Sequence, residues 1–206
     1  MPDGSGSTIK KGRKFEQVLE GAREVFMADG FEGASVDDIA KAAKVSKATL
    51  YSYFPDKRRL FMEVAKIECR RQADTALETI DMTAPVADVL HDIAMQIVTF
   101  VVSDTGQRVF RICVGESDRF PDLGREFYES GPALVRNRIA DYLKRACAQG
   151  ALQIEDVGLA ADQFAELCKA DLFPRMMFSV QSTFTTAEKN RVVTSAVQMF
   201  MARYGA

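Results

Sequence analysis

The chain is poor in the residues that most often carry catalysis and metal binding. It has one histidine, His91, and four cysteines, Cys69, Cys113, Cys147 and Cys168. The cysteines lie far apart, with no C-x-x-C pair and no histidine at ligand spacing. That pattern argues against a zinc site or a disulfide framework and for a reducing cytosol. No G-x-G-x-x-G, P-loop, G-x-S-x-G or H-E-x-x-H motif occurs, so an enzyme is not expected, nor a metal or a cofactor. The chain also lacks an uninterrupted apolar run of about 18 residues. Its most apolar stretch, 86–102, is broken by Asp88, His91, Asp92 and Gln96. The opening MPDGSGSTIKKGRK lacks the apolar core of a secretory signal. No membrane partner is expected, and the reading is cytoplasmic.

What is present suits a globular protein. Hydrophobic residues make up 47% and charged residues 27% of the 206 positions, enough for a real core. The net charge of −2 does not by itself suggest nucleic acid. Its distribution says more: residues 1–60 carry 11 Lys/Arg against 9 Asp/Glu, and residues 61–206 carry 16 against 20. A mildly basic head on an acidic body is the sign expected of a nucleic-acid reader.

Residues 1–8 are Gly/Ser-rich without apolar periodicity and read as a disordered tail. Together with the bases that follow, residues 1–12 form a basic arm. From there the chain reads as all-α, with no segment alternating at period two. Phe15, Val18, Leu19, Ala22, Val25 and Phe26 fall at steps of three and four, predicting a helix over 13–29 stopped by Gly30. Ser35-Val-Asp-Asp38 resembles a capping box with Asp in place of Glu, opening a short helix to about 43. Lys44-Val45-Ser46 is a tight turn, with Ser46 as N-cap of a second short helix over 47–53. Pro55-Asp56 breaks the chain, and Asp56 caps a long helix to about 80. Further helices are expected near 86–103, 106–119, 122–149, 157–180 and 186–204, the fourth of these kinked at Pro174. The boundary between head (13–60) and body (61–206) therefore lies in or beside the helix that starts at Asp56.

Two seven-residue helices joined by a three-residue turn are too short to stand alone. The first helix supplies the support, with Ile39, Ala40, Ala43, Val45, Leu50 and Phe54 as the shared core. The outer face of the second short helix then shows Lys47, Thr49, Ser52 and Tyr53, a surface that suits a DNA major groove. Lys47 can donate to guanine O6/N7, and Thr49 can serve either polarity or meet a thymine methyl. Alternate residues do not share a helix face, so one of Tyr51 and Tyr53 packs while the other projects. The expectation is Tyr53 outward, with Tyr51 partly buried. Lys10, Lys11, Arg13 and Lys14 either lie along phosphates and reach a minor groove, or form a solvated basic terminus.

The stretch G-F-E-G-A-S-V-D-D-I-A-K-A-A-K-V-S-K-A-T-L-Y-S-Y-F-P-D-K-R-R-L-F at 30–61 closely resembles the TetR family of regulators. Its centre, V-S-K-A-T-L-Y-S-Y-F-P-D-K at 45–57, matches the family's recognition-helix signature nearly position by position. The resemblance, which begins at Phe15, implies an N-terminal three-helix helix-turn-helix domain followed by a larger helical effector-binding and dimerisation domain. It implies that Lys47, Ala48 and Thr49 read base edges and that Tyr51 and Tyr53 meet phosphate or base methyls. Ser35 and Val36 would touch the DNA backbone, and Lys57 would bind phosphate. A plain exposed basic turn at Lys57, Arg58 and Arg59 is the alternative. No residue type is fixed in the family at Lys47, Ala48 or Ser52, so the operator stays open.

The same resemblance implies a homodimer on palindromic double-stranded operator DNA, acting as a repressor and released by a small-molecule effector. In relatives the last two long helices form the interface. Here the last carries Val192, Val193, Ala196, Val197, Phe200 and Met201, of which Val193, Val197, Phe200 and Met201 are the candidate contacts. The alternative is that this face packs within its own chain. Relatives hold an inducer among the middle helices, and candidates for its lining are Ile97, Phe100, Phe110, Cys113, Phe127, Phe164, Phe173 and Met177. Most Met and aromatic stripes at helical spacing are plain core, but an apolar chamber would suit a hydrophobic or aromatic effector. Glu116 is either a polar anchor facing that chamber or a surface carboxylate beside Arg119. The segment R-I-C-V-G-E-S-D-R-F-P-D-L-G-R-E-F-Y at 111–128 looks like the effector domain of one common subgroup, broad in ligand.

Rival readings remain at this level. One is a helical adaptor with a vestigial head. Another is an activator, or a regulator without a small-molecule inducer, with Cys113 as a redox trigger.

Overall fold

The computed structural model describes residues 12–206. The described residues form eleven helices and one isolated backbone bridge, Leu152 to Gly205. The basic residues Lys10 and Lys11, and the rest of the expected arm through Lys11, lie outside the described residues. Two compact units divide between Ile67 and Glu68.

In the first unit, α1 (Arg13–Gly33) buries Phe15, Val18, Gly21, Ala22, Val25 and Phe26 along one stripe. The expected stop at Gly30 is a kink instead. Gly30 takes φ 70°, ψ −177°, a conformation open to glycine, and one more turn follows it. α2 (Val36–Ala42) and α3 (Lys47–Tyr53) pack on α1 through Ile39, Ala40, Ala43, Leu50 and Phe54, all buried, with Val45 half-buried. The approach of α1 to α2 is close enough to require glycine: a Cβ on Gly21 would lie 2.4 Å from the Ala43 nitrogen. α4 (Lys57–Thr79) opens with Asp56 Oδ1 accepting from the Arg59 N–H at 2.9 Å. Phe61 from α4 meets Phe26 and Phe31 edge-on, with centroids 5.1 and 5.0 Å apart.

In the second unit, α5 (Val86–Val101), α8 (Pro132–Ala148), α9 (Val157–Leu167), α10 (Leu172–Met177) and α11 (Thr186–Tyr204) enclose one core. Leu90, Leu143, Phe164, Leu172 and Val193 are fully buried in it. α6 (Asp104–Glu116) and α7 (Pro121–Ser130) complete the unit. Two expected helices prove to be pairs. The predicted 122–149 helix is α7 and α8, broken at Gly131 (φ −118°, ψ −90°) because Pro132 bars its predecessor from helical dihedrals. The predicted 157–180 helix is α9 and α10, broken before Asp171 at φ 67°. Pro174 lies in the first turn of α10, where its missing N–H costs nothing, so it makes no kink.

Among the described residues no single helix is long and apolar enough to cross a membrane. α5 and α6 reach that length and composition only together, across a 66° bend.

Candidate functional site

The α2–turn–α3 surface is built by short-range hydrogen bonds. Ser35 caps α2: its Oγ accepts from the Asp38 N–H at 3.0 Å and donates to Asp38 Oδ2 at 2.5 Å. Ser46 caps α3 in the same way, accepting from the Thr49 N–H at 3.1 Å and sharing a 2.9 Å hydroxyl bond with Thr49 Oγ1. Ser52 Oγ donates to the Thr49 carbonyl at 2.6 Å. The hydroxyl edge of α3 is thus organised before any ligand arrives. Between the two helices Lys44 takes φ 54°, the left-handed geometry that the tight turn needs.

The face of α3 that points to solvent is Lys47, Ala48, Tyr51 and Ser52, with Thr49 half-buried at its edge and Ser46 exposed at its start. These positions recur at i and i+4, so they share one side of the helix. The tyrosines reverse the expectation. Tyr51 is 49% exposed, whereas Tyr53 is half-buried with its ring edge-on to Phe15 at 5.6 Å. Phe15 also stacks on Phe54 at 5.4 Å, so the turn of α3 holding Tyr53 and Phe54 is the one that clasps α1. Val36, the first residue of α2, is half-exposed beside its cap.

Lys57 has partners within its own chain. Its Nζ donates to the carbonyls of Phe31 and Ala34 at 2.8 and 3.0 Å and lies 4.5 Å from the centre of the Phe31 ring. Those carbonyls are at the C-terminal end of α1, where helical oxygens lack partners and the dipole favours a cation. The half-buried lysine first serves to fasten α4 to α1, and two of its three N–H donors are committed there.

A contact that pattern reading did not find crosses between the helices. The Lys47 ammonium is paired with the Asp37 carboxylate, both exposed. The hydrogen bond that Lys47 donates to the Asp37 carboxylate, together with the charge of that carboxylate, raises the Lys47 pKa. The signal was a carboxylate at the second position of α2, ten residues ahead of the lysine, but only the helix-turn-helix geometry joins them.

In the second unit, three of the candidate effector residues come together. Phe110 of α6 lies edge-on to Phe173 of α10 at 5.1 Å and to Phe127 of α7 at 6.3 Å, and all three are half-buried. Cys113 is buried one turn along from Phe110, and Met177 is half-buried one turn along from Phe173. Ile97 is half-buried against the main core, and Phe100 is half-buried at the end of α5. Glu116 closes α6, where its carbonyl accepts from the N–H groups of Arg119 and Phe120. Phe164 does not belong to this group: it is fully buried, its ring 5.0 Å from that of Phe200. Reading of the sequence also missed Arg111, whose guanidinium donates to the carbonyls of Met176 and Met177 at 3.1 and 3.2 Å and so joins α6 to α10.

Three of the four candidate interface residues of α11 pack inside their own chain instead. Val193 and Phe200 are 0% and 2% exposed and Val197 7%, and Met201 is half-buried against the same core. The apolar stripe is consumed by α5 and α9 of its own chain. The large apolar side chains left exposed on α9 and α11 are Leu159 and Met199, at 52% and 57%.

Comparison with known proteins identifies the arrangement. Residues 18–64 match the bacterial regulatory proteins of the tetR family, and residues 88–206 match the C-terminal domain of AefR-like transcriptional repressors. The chain is similar to the transcriptional repressor AcnR of Corynebacterium efficiens, 36% identical over 63 residues, or 31% of this chain and 34% of that one. Matches to AcnR proteins thus span about a third to two fifths of those curated relatives. Solved structures are covered almost whole. A TetR-family regulator of Mesorhizobium loti superposes with a TM-score of 0.81 at 26% identity, over 94% of this chain and 98% of that one. The flavonoid-responsive regulator FrrA does so with a TM-score of 0.70 at 33% identity, over 94% and 98%. With both halves matched by family and the whole fold shared, this chain belongs to the TetR family of transcriptional regulators.

Proposed function

We propose that this chain is a cytoplasmic DNA-binding repressor that reads an inverted-repeat operator as a homodimer through α3 and lets go when a hydrophobic or aromatic small molecule binds its second unit. The observation that carries this reading is the solvent face of α3. Lys47, Ala48, Tyr51 and Ser52 make no contribution to the head's core, which Leu50 and Phe54 provide, yet they form one contiguous side of a helix. Such a face suits base edges in the major groove: Lys47 for guanine, Thr49 for either polarity, Ala48 for a thymine methyl. Tyr51 and the backbone near the Ser35 and Ser46 caps suit the flanking phosphates. One seven-residue helix reads only a few base pairs, so two copies on half-sites roughly 34–36 Å apart are needed for specificity. The repressor AcnR among its relatives supports the sign of regulation.

The effector class follows from the aromatic group on α6, α7 and α10. Phe110, Phe127 and Phe173 are only half-buried, Phe110 meeting each of the other two edge-on, with Cys113 one turn along from Phe110 and Met177 one turn along from Phe173. A flat apolar ligand can slide between such rings and stack against them. The flavonoid-responsive relative supports an aromatic effector. Release then requires that the ligand bind the DNA-free state more tightly than the DNA-bound one, since equal affinity shifts nothing. Cys113, 2% exposed, is poorly placed as a redox trigger.

The test is selection of bound sequences from a random duplex library with purified full-length protein. Enrichment of an inverted repeat is the expected result, and absence of any enrichment at low salt refutes the reading. Planar aromatic compounds added to the selected complex should release it, and Phe110→Ala should blunt that release without weakening DNA binding.

A further inference from the structure

We infer that Asp37 is a specificity-determining residue of the DNA-reading surface, holding the Lys47 ammonium so that it serves base edges rather than bare phosphates. The inference rests on the reading of α3 proposed above.

Asp37 and Asp38 are adjacent acids in the first turn of α2, but they do different things. Asp38 closes the N-cap with Ser35 through both its backbone N–H and its carboxylate. Asp37 takes no part in that cap. Its carboxylate crosses the turn to Lys47, the first residue of α3. An acid in the first turn gains from the helix dipole wherever its side chain points, so the dipole does not explain this direction.

Both partners are exposed, with side-chain accessibilities of 57% for Lys47 and 67% for Asp37. Exposed pairs of this kind are weak and exchange readily with other partners. Asp37 therefore competes for the lysine without locking it.

The pair also changes what Lys47 offers to DNA. An unpaired ammonium is a point charge, drawn to any phosphate and releasing a counterion when it binds. A paired one is nearly neutral at a distance, yet it keeps two further N–H donors. Those can meet guanine O6 or N7 while the third stays on Asp37. Sequence-independent attraction falls, and the directional bond to a base edge survives. The ratio of specific to non-specific affinity rises as a result, and that ratio governs occupancy in a genome of competing sites.

The experiment measures affinity and salt dependence of the full-length dimer on two probes, a random-sequence duplex and the inverted repeat recovered by selection. Asp37→Asn keeps the side-chain shape and removes the charge. It should tighten binding to the random duplex about two- to fivefold and steepen its log–log salt slope measurably, by up to about 0.9. Affinity for the inverted repeat should change by less, so the specificity ratio falls. Asp37→Glu, which restores the charge, should recover most of the ratio. In a Lys47→Gln background the Asp37→Asn change should lose its effect. Unchanged random-duplex affinity and slope in Asp37→Asn would overturn the inference. Equal tightening in both backgrounds would overturn it too, because Asp37 would then merely repel phosphates. A wild-type protein that binds neither probe at low salt defeats the DNA-reading proposal itself, a different result from a wild type that binds and an Asp37 variant that is silent.

Discussion

Replacing each tyrosine of α3 by alanine separates reading from packing. Tyr51 is 49% exposed on the solvent face of α3. Its removal deletes little packed surface, and alanine is the better helix former, so stability should stay within about 0.5 kcal/mol of wild type. DNA binding should weaken by roughly 1–3 kcal/mol, or about 5- to 150-fold, through loss of a contact to the groove or its rim. Tyr53 is the opposite case. Its ring meets Phe15 edge-on at 5.6 Å and is half-buried between α3 and α1. A fully buried aromatic costs about 3–5 kcal/mol on truncation, and a half-buried one roughly half that. Tyr53→Ala should therefore destabilise the head by about 2 kcal/mol.

Two assays resolve the pair. Urea unfolding followed by circular dichroism gives the stability change. Titration of the selected inverted repeat, followed by anisotropy of a labelled duplex, gives the affinity change. Run well below the unfolding midpoint, the anisotropy assay should show Tyr51→Ala as the weaker binder. A Tyr53→Ala protein that binds poorly at full stability would mean that the outward and inward faces of α3 are exchanged.

Gly21→Ala should destabilise the head by about 1–3 kcal/mol, since the added Cβ would fall 2.4 Å from a backbone nitrogen of Ala43 that cannot yield. Gly115→Ala, whose Cβ meets nothing within 4 Å, should instead raise the stability of the body by up to about 1 kcal/mol; both are read by urea midpoint. Lys57→Met should cost the head roughly 1.5–3 kcal/mol by stranding the Phe31 and Ala34 carbonyls. Its DNA-binding salt slope should move by far less than the 0.9 or so of a lost phosphate contact, and a full unit of change would restore a phosphate role. Glu188 is held down to about 2, first by the Thr185 backbone N–H, then by the Gln181 amide and the Thr185 hydroxyl. A folded value below the unfolded one stabilises above the ordinary glutamate range and loses that effect as pH falls toward 2. The stability difference between wild type and Glu188→Ala should accordingly be constant above pH 5 or so and shrink steadily in acid.

Elements with chemical punctuation at their ends were legible. Ser46 and Thr185 each accept from the N–H three residues on, and the helices they open, Lys47–Tyr53 and Thr186–Tyr204, fall where pattern places them. Where the signal was only a continuing apolar stripe, boundaries were lost. The stripe runs on through Gly131-Pro132 and past Asp171, but the backbone does not. Two seven-residue helices and their turn could be placed, yet not the rotation of α3. With Tyr51 and Tyr53 two positions apart, one of them must pack, and periodicity alone does not say which. The deciding partner, Phe15, is 38 residues away in sequence from Tyr53 and reaches it only in the folded head. Asp37 and Lys57 escaped for the same reason: their partners are set by tertiary contacts, to Lys47 in one case and to α1 carbonyls in the other.

The stripe on α11 carries a further consequence for assembly. Apolar periodicity predicts that a face will be buried and is silent about what buries it. Here Val193, Val197 and Phe200 are spent inside the chain, so a bulky or charged residue at any of them should unfold the second unit rather than dissociate a dimer. A two-fold contact through α9 and α11 would draw on their exposed residues, with Leu159 and Met199 as the large apolar side chains and Thr194, Ser195 and Gln198 as polar ones on α11. That polarity is no obstacle, since whole interfaces are only about 56–58% apolar and depend on a small desolvated centre. Met199→Arg places a charge at that centre, where partner burial would leave it unpaired. It should give folded monomers by sedimentation velocity, with an unchanged unfolding midpoint at low protein concentration and poor affinity for the inverted repeat. An intact dimer in Met199→Arg would mean that the subunits meet elsewhere. Dissociated but folded Val197→Trp would mean that the α11 stripe is shared between subunits after all.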